Sequence, residues 1–484
     1  MADIRAVKIH PAIGIARVGN SPTGFFIGPE LPGQSDPPPG GYRDAQSLVK
    51  RQAARFRLFG YDAKGRVVRE LTARDASVTW TVHLANQKAA ARRFNGLKLN
   101  APLRNPNIKN RKSLIIDPGP RSLRGPGQVA AFDTGSFRGT SVPLGEARTD
   151  KDGRLLVLGG FGRSASPTKA AIKTFENNDG WFDDISDGPV TATVTLKGRR
   201  NPIRASPAWV IVAPPKFAPA FQSVTTLYDV LRQVAVDRLG LTLPAVPSFT
   251  EDVYPILNRV MQMKWVSALA ASSHATLPTV IPPLGLPFTR SDIFQRLKNP
   301  KDGSGGDMPM VWSDSYAPPT VDSQPVTPIQ YNVMKMWAAG EFIDDWSGPP
   351  KPSAAITPEG LDRAALEPCV GGPFYPGIEA GWFLRDKLRY TEPFRLSHKG
   401  LTAGDVTKQM SLPWQADFYA CEFESPLAWW PAQRPDDVFP DSVHPQVPWT
   451  RDLVGSELGM VKNWYKLGFI VKQGDAYLET ERDA

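Results

Sequence analysis

Cysteine is nearly absent: Cys369 and Cys421 are the two in 484 residues, so no disulfide framework holds this chain. The five histidines, His10, His83, His274, His398 and His444, fall into no HxH, HxxxH or HExxH spacing, which leaves transition-metal chemistry without a ligand set. GxSxG and Walker-type phosphate loops are missing as well. No apolar run approaches the roughly 20 residues of a membrane helix, and no partner membrane is expected. Met1 to Arg17 holds no apolar stretch ahead of a small-residue cleavage site. The expected location is therefore cytoplasmic, with export by a non-standard route left open. Acidic residues are short in one place only. The net charge of +9 is the excess of a single window, Asn86 to Gly125, where ten Lys and Arg face Asp117 alone. That window contains one aromatic, Phe94, whereas nucleic-acid modules interleave several. It reads as a solvated basic face with no nucleic-acid partner.

Proline, by contrast, is abundant. The 48 prolines are about twice average usage, while the 41 glycines are ordinary. Both together stay below the share that marks disordered chains, so the loops are expected to be long, stiff and ordered. Strand signals dominate the first half: Ala76 to Val82 (ASVTWTV), Arg154 to Leu158 (RLLVL), Val190 to Leu196 (VTATVTL) and Trp209 to Ala213 (WVIVA). From Thr225 the apolar period becomes helical, with Leu227, Val230, Leu231 and Val234 on one face and Gly240 as a stop. A second helix is expected from Thr250 past Val266. Thr327-Pro328 and Thr357-Pro358 each pair a cap with proline at the first helical position, starting helices that end near Gly340 and Leu366. The fold class expected is α+β: an antiparallel β-rich N-terminal half (1–215), a helical middle (216–345) and, after the linker-like WSGPPKPS, a loop-rich C-terminal region (346–484).

Three motifs carry possible chemistry. LGGFGRSAS, Leu158 to Ser166, imitates a dinucleotide fingerprint, but Ser166-Pro167 follows where a helix should open, and a glycine turn is the better reading. NNDGWFDDISDG, Asn177 to Gly188, gathers Asp179, Asp183, Asp184 and Asp187 without the alternate spacing of an EF-hand, so an Asx-bonded turn is preferred to a calcium site. In Ser411 to Asp437, SLPWQADFYACEFESPLAWWPAQRPDD, Asp417 lies four residues before Cys421 and would share its helix face. A carboxylate there raises the thiol pKa and disfavours an ordinary cysteine nucleophile. The residues alone also fit a buried Cys beside an aromatic core.

PWQADFYAC (Pro413 to Cys421) and WWPAQRPDDV (Trp429 to Val438) resemble the lysine ε-oxidase and glycine oxidase family of quinoproteins, which carry cysteine tryptophylquinone. The likeness extends to IHPAIGIARVGNS (Ile9 to Ser21), DGWFDDISDGPVTATV (Asp179 to Val194), AWVIVAPPKF (Ala208 to Phe217) and ITPEGLDRAALEPCVGGPFYPGIEAGW (Ile356 to Trp382). The resemblance implies that Cys421 supplies a thioether sulfur and that Trp429, slightly favoured over Trp430, becomes the ortho-quinone. It implies Asp417 as the active-site carboxylate, with Gln433 and Arg434 fixing the loop. The implied activity is oxidative deamination of an amino acid or related amine, with O2 as acceptor and hydrogen peroxide and ammonia as products. A quinone carbonyl suits that task, being an electrophile for amines and a sink for two electrons that no side chain provides. An accessory flavoprotein is the implied maturation partner, and surface-capable aromatics suggest a homo-oligomer.

The likeness departs at one place. Only seven residues separate Cys421 from Trp429, where the lysine-oxidising members carry a long insertion, so neither lysine nor glycine is inherited as substrate. The family's active-site histidine has no fixed counterpart, and His398 is the nearest candidate. Cys369 reads as a buried structural thiol. Two other functions stay open on the sequence: a thiol-dependent enzyme using Cys421 with His398 or His444, and a non-catalytic binding relative.

Overall fold

The computed structural model describes residues 3–94, 101–274, 287–310, 325–351, 354–372, 381–420 and 431–483. Alternation sets the frame. In Ala76–Val82 (β4) the side chains of Ala76, Val78, Trp80 and Val82 are buried, and the Ser and Thr between them face outward. Asp187–Leu196 (β7) alternates in the same way and pairs antiparallel with β4, Ala192 opposite Trp80 and Val194 opposite Val78. These strands belong to a sheet of thirteen among the described residues. Its main path runs from Arg121–Arg124 (β5) through β4, β7, Ala208–Ala213 (β8), Ile13–Arg17 (β2), Arg51–Tyr61 (β3) and Leu155–Leu158 (β6) to Glu146–Thr149 and Val129–Ala131. Ala6–His10 (β1) pairs with β3 off that path. The last two strands return beside β5, so the sheet comes close to a barrel.

The half is β-rich, as expected, but not wholly antiparallel. β8 runs parallel to β2, with Trp209 opposite Ile13 and Ala213 opposite Arg17, and Phe25–Ile27 runs parallel to β3. Every residue of β8 and β2 is buried, because both faces of this central pair are covered. Val210 and Val212 face the main core, while Trp209, Ile211, Ile13 and Ile15 face a second core closed by helices. The longest strand, β3, escapes a reading by apolar pattern because Arg51 and Arg57 interrupt it. Both guanidinium groups are buried and paired, Arg51 with Glu146 at 2.9 Å and Arg57 with Glu30 at 2.8 Å and Glu70 at 3.0 Å.

The helices start and stop where their caps are. Leu227–Leu239 (α1) begins on a reciprocal Thr226–Asp229 capping box and ends at Gly240. Pro328–Ala339 (α3) begins on Thr327 and Gln330 in the same way and ends at Gly340, and Pro358–Leu366 (α4) is capped by Thr357. The stretch expected as one helix from Thr250 is three segments instead: a π turn at Phe249–Val253, then Tyr254–Gln262 (α2), then a 3-10 turn at Met263–Trp265. α1 lays Leu227, Leu231 and Val234 on the second core beside Leu366 of α4. Phe249, Ile256, Leu257, Met334 and Trp337 form a separate core between α2 and α3.

The basic window is a solvated face only in part: Arg92, Lys109, Lys112 and Arg124 are exposed, but two of its cations are not. Lys88 and Arg104 are fully buried. Arg104 donates to Asn177 Oδ1 at 2.9 Å and to the carbonyls of Lys88, Glu176 and Lys408 at 3.1, 3.0 and 3.3 Å. Arg111 likewise binds the carbonyls of Ala90, Arg104 and Asn105. These loops lack ladder partners for their carbonyls, and a guanidinium with five donors satisfies several at once. Among the described residues no helix is long and apolar enough to cross a membrane.

Candidate active site

Trp414–Ala420 (α5) carries Asp417, which is wholly inaccessible to solvent. Three hydrogen bonds fix where this short helix begins. Leu412 N donates to Glu176 O at 3.1 Å, Leu412 O accepts from Asn178 Nδ2 at 2.9 Å, and Trp414 N donates to Asp183 Oδ2 at 3.2 Å. Gln415, also buried, reaches across to Gly162 O at 3.1 Å and accepts from Ser164 Oγ at 2.6 Å. The opposite side is aromatic: Trp414 meets Trp464 at 5.5 Å, and Phe418 meets Phe217 at 6.4 Å. Asp417 is thus positioned by residues drawn from the β-rich half as well as from its own neighbours.

The returning arm, from Pro431, is held just as firmly. Arg434 is fully buried and donates from Nε to Phe418 O at 2.6 Å and from Nη1 to Pro435 O at 2.7 Å, with its guanidinium carbon 5.3 Å from the Trp449 ring centre. Gln433 donates to Pro215 O at 2.9 Å and accepts at its own carbonyl from Phe217 N at 3.2 Å. Both residues hold the returning arm in place. The Arg434–Phe418 bond joins the arms on either side of 421–430. Cys421, Trp429 and Trp430 themselves lie outside the described residues.

The four aspartates of Asp179–Asp187 do not converge, and among the described residues no three His, Cys, Asp or Glu form a metal site. The Asx-type bonding expected of the segment occurs at Asp183, whose Oδ1 accepts from Ile185 N at 3.3 Å, and Asp183, Asp184 and Asp187 are in addition buried struts. Asp183 pairs with Lys88 at 2.5 Å while holding Trp414 N. Asp187 accepts from Thr407 N at 2.8 Å, Thr407 Oγ1 at 2.5 Å and Trp209 Nε1 at 2.9 Å, and burial pushes its carboxyl up to about 6. Asp184 Oδ2 accepts from Phe161 N at 2.6 Å and Arg163 N at 3.1 Å, and burial, reinforced by Asp183, lifts its carboxyl to about 7. The glycine stretch opens no helix; Gly159 to Arg163 is an irregular link from β6 to the short strand Ser164–Ala165. Its shape serves packing: a side chain on Gly160 would strike Asp184, and one on Gly162, at φ +70, would strike the Trp464 ring.

His398 stands edge-on to Trp209 at 5.0 Å, and burial lowers its imidazole to about 4. His444 is exposed and bonded to Asp441 at 2.7 Å. Neither has a bond to α5 among the described residues. Cys369 is buried, as expected, accepting from Arg17 Nη2 at 3.5 Å and facing Ala365 O at 3.5 Å. The sequence reading missed two buried cations. Arg17 ends β2, and Lys216 follows β8 in AWVIVAPPKF. Burial, with Arg17 and Arg259 nearby, brings the Lys216 ammonium down to about 7. Their signal was present, since Arg17 and Lys216 each stand as a cation within an otherwise apolar run.

Two family models match in chain order: "L-Lysine epsilon oxidase N-terminal" over residues 10–212 and "L-lysine epsilon oxidase C-terminal domain" over 306–440. The chain belongs to the L-lysine ε-oxidase family. It is an amino-acid oxidase by that membership. L-lysine 6-oxidase of Marinomonas mediterranea is 29% identical over 535 aligned positions, covering 87% of this chain and 72% of the relative. The alignment is longer than this chain, so the relative carries segments that this family member lacks. The crystal structure of L-Lys ε-oxidase from Marinomonas mediterranea matches with a TM-score of 0.81 at 25% identity, over 99% of this chain and 95% of that one. The same figures hold for the structure of that enzyme's Schiff base intermediate with L-Lys.

Proposed function

We propose that this chain is a quinoprotein oxidase of the L-lysine ε-oxidase family, which converts a primary amine of an amino acid or related amine, with O2 and water, to the oxo product, ammonia and hydrogen peroxide. The observation that carries the reading is the wholly buried Asp417, on a helix that delivers the chain to Cys421, with the return arm tied back to that helix by Arg434. Cys421 and Trp429, or Trp430 in its place, are the residues that would hold a cysteine tryptophylquinone. The short loop favours such a crosslink, because the bond from Arg434 to Phe418 O brings the two arms together. When formed, the group supplies an electrophilic carbonyl for the amine and a two-electron sink.

The chain's own residues do the rest. Asp417, excluded from water, is suited to take and hold the α-proton of a substrate within about 3 Å. Trp414, Phe418 and Trp464 exclude water on one side of it, and Gln415 and Arg434 hold the backbone still on the other. An accessory flavoprotein would oxygenate the tryptophan during maturation. Intact mass of protein matured with that partner should exceed the unmodified chain by roughly 28 Da, two oxygens gained and four hydrogens lost. Asp417→Asn, isosteric and folded by circular dichroism, is expected to lose the mass increment or the peroxide signal by about a hundredfold or more. An unmodified mass with a free thiol at Cys421 would refute the proposal.

A further inference from the structure

A cavity of about 510 Å³ opens between the loop of Gln34 to Pro39, the strand at Phe25 to Ile27 and the turn after β8. Its charged lining is Arg17, Lys50, Lys216 and a single acid, the exposed Asp36. None of the three cations has a carboxylate partner among the described residues. Arg17 donates to Pro214 O at 2.9 Å and to the Cys369 sulfur, Lys216 to Phe221 O, and Lys50 to the carbonyls of Gly40 and Gly41 at 3.0 and 2.8 Å. Arg17 and Lys216 are both nearly inaccessible, 3% and 7% exposed. Two buried cations without a counter-ion at the edge of a cavity are costly to fold, and an anion entering the cavity removes that cost.

The position of Lys216 ties this charge to the proposed reaction site. Its neighbours Pro215 and Phe217 hold Gln433 from both sides, three residues beyond Trp430, and the Phe217 ring meets Phe418, next to Asp417. We propose that Arg17 and Lys216 form the anchor for the carboxylate of the amino-acid substrate, holding that end of the molecule while its amine is presented to the Asp417 side. This rests on the oxidase reading for its substrate but on the cavity and the cation pair for its site. An Arg with a planar fork beside a Lys suits a carboxylate, which accepts several charge-assisted hydrogen bonds at once. Lys216 faces Arg17 from β2, Arg259 from α2 and the Cys369 thiol, itself raised by burial, so a bound anion favours the protonated lysine.

The test uses the mature enzyme and paired substrates: glycine against methylamine, and L-lysine against 1,5-diaminopentane. Lys216→Met and Arg17→Gln should raise KM for the amino acid of each pair by about tenfold or more while leaving the matching amine within about twofold, and Lys216→Arg should restore the wild-type difference. Calorimetric titration with propionate, against propionamide as the neutral control, reads the anion site without any turnover. Propionate should bind about tenfold more weakly to Lys216→Met, and its affinity for the wild type should fall as pH rises through about 7. Equal changes for amino acid and amine, or propionate binding that ignores both substitutions, would overturn the anchor. A chain without the 28 Da increment that still binds propionate through Lys216 would sink the oxidase reading instead, leaving the cation pair as an anion site.

Discussion

At Asp184 the local environment outweighs the ordinary chemistry of a carboxylate. One oxygen takes two backbone N–H groups, the other meets no donor among the described residues, and burial raises the carboxyl to about 7. The sign follows from which state holds the proton. In the unfolded chain Asp184 ionises near 4; folded, it keeps its proton to about 7. Its favourable share of stability is therefore complete below about pH 4 and is lost as pH rises through 7. Asp184→Asn retains an acceptor for Phe161 N and Arg163 N and carries no charge. We expect it to be more stable than the wild type at pH 8, by an amount on the order of 2 kcal/mol, and near-neutral or weaker at pH 4. Urea unfolding at the two pH values checks this, and equal effects at both would rule it out.

Among the elements, α5 and α3 make a useful contrast. α3 is built by local signals, a Thr327–Gln330 capping box, Pro328 at its first position and a glycine stop, so Thr327→Ala should cost about 1 kcal/mol and leave turnover unchanged. α5 has seven residues, too few to be stable by itself, and depends on partners elsewhere in the chain. Lys88 neutralises Asp183, whose other contact holds Trp414 N. Lys88→Met leaves that carboxylate buried and uncompensated, with an expected loss of about 3–5 kcal/mol. Oxidase activity should fall with it, because Asp417 sits one turn beyond the contact. Thermal unfolding and activity measured together separate the two helices, and an active, stable Lys88→Met enzyme would show that α5 needs no such strut.

Across the whole molecule, the final hairpin, Phe469–Gln473 with Ala476–Thr480, locks distant segments to the site. Phe469 stacks on Tyr42 at 4.6 Å and meets Phe217 at 5.0 Å, Ile470 N donates to Phe217 O at 2.8 Å, and Arg43 donates to Leu467 O at 3.0 Å. Phe217 in turn touches Phe418 and binds Gln433. Phe469→Ala is expected to destabilise by about 3–5 kcal/mol and to loosen Phe217 and its contacts, lowering oxidase activity. A loss under about 1 kcal/mol in denaturant unfolding would mean the hairpin is peripheral.

Local physics is what the sequence by itself determined. The caps at Thr226, Thr327 and Thr357, the alternation of Ala76 to Val82 and the buried run at Trp209 to Ala213 depend on neighbours within a few residues, and they were readable there. Asp417, with Cys421 four residues on, was legible as a candidate through spacing and through the family resemblance. Tertiary structure decided the fate of the charges. Arg51 and Arg57 hide the longest strand until Glu30, Glu70 and Glu146 come to meet them, and ten cations that read as a solvated face turn out to include the buried Lys88 and Arg104. Whether a charge is solvated, paired or left unpaired at a cavity depends on residues tens or hundreds of positions away. No local pattern encodes that, and the pair of Arg17 and Lys216 became visible only once β2 and the turn after β8 lay side by side.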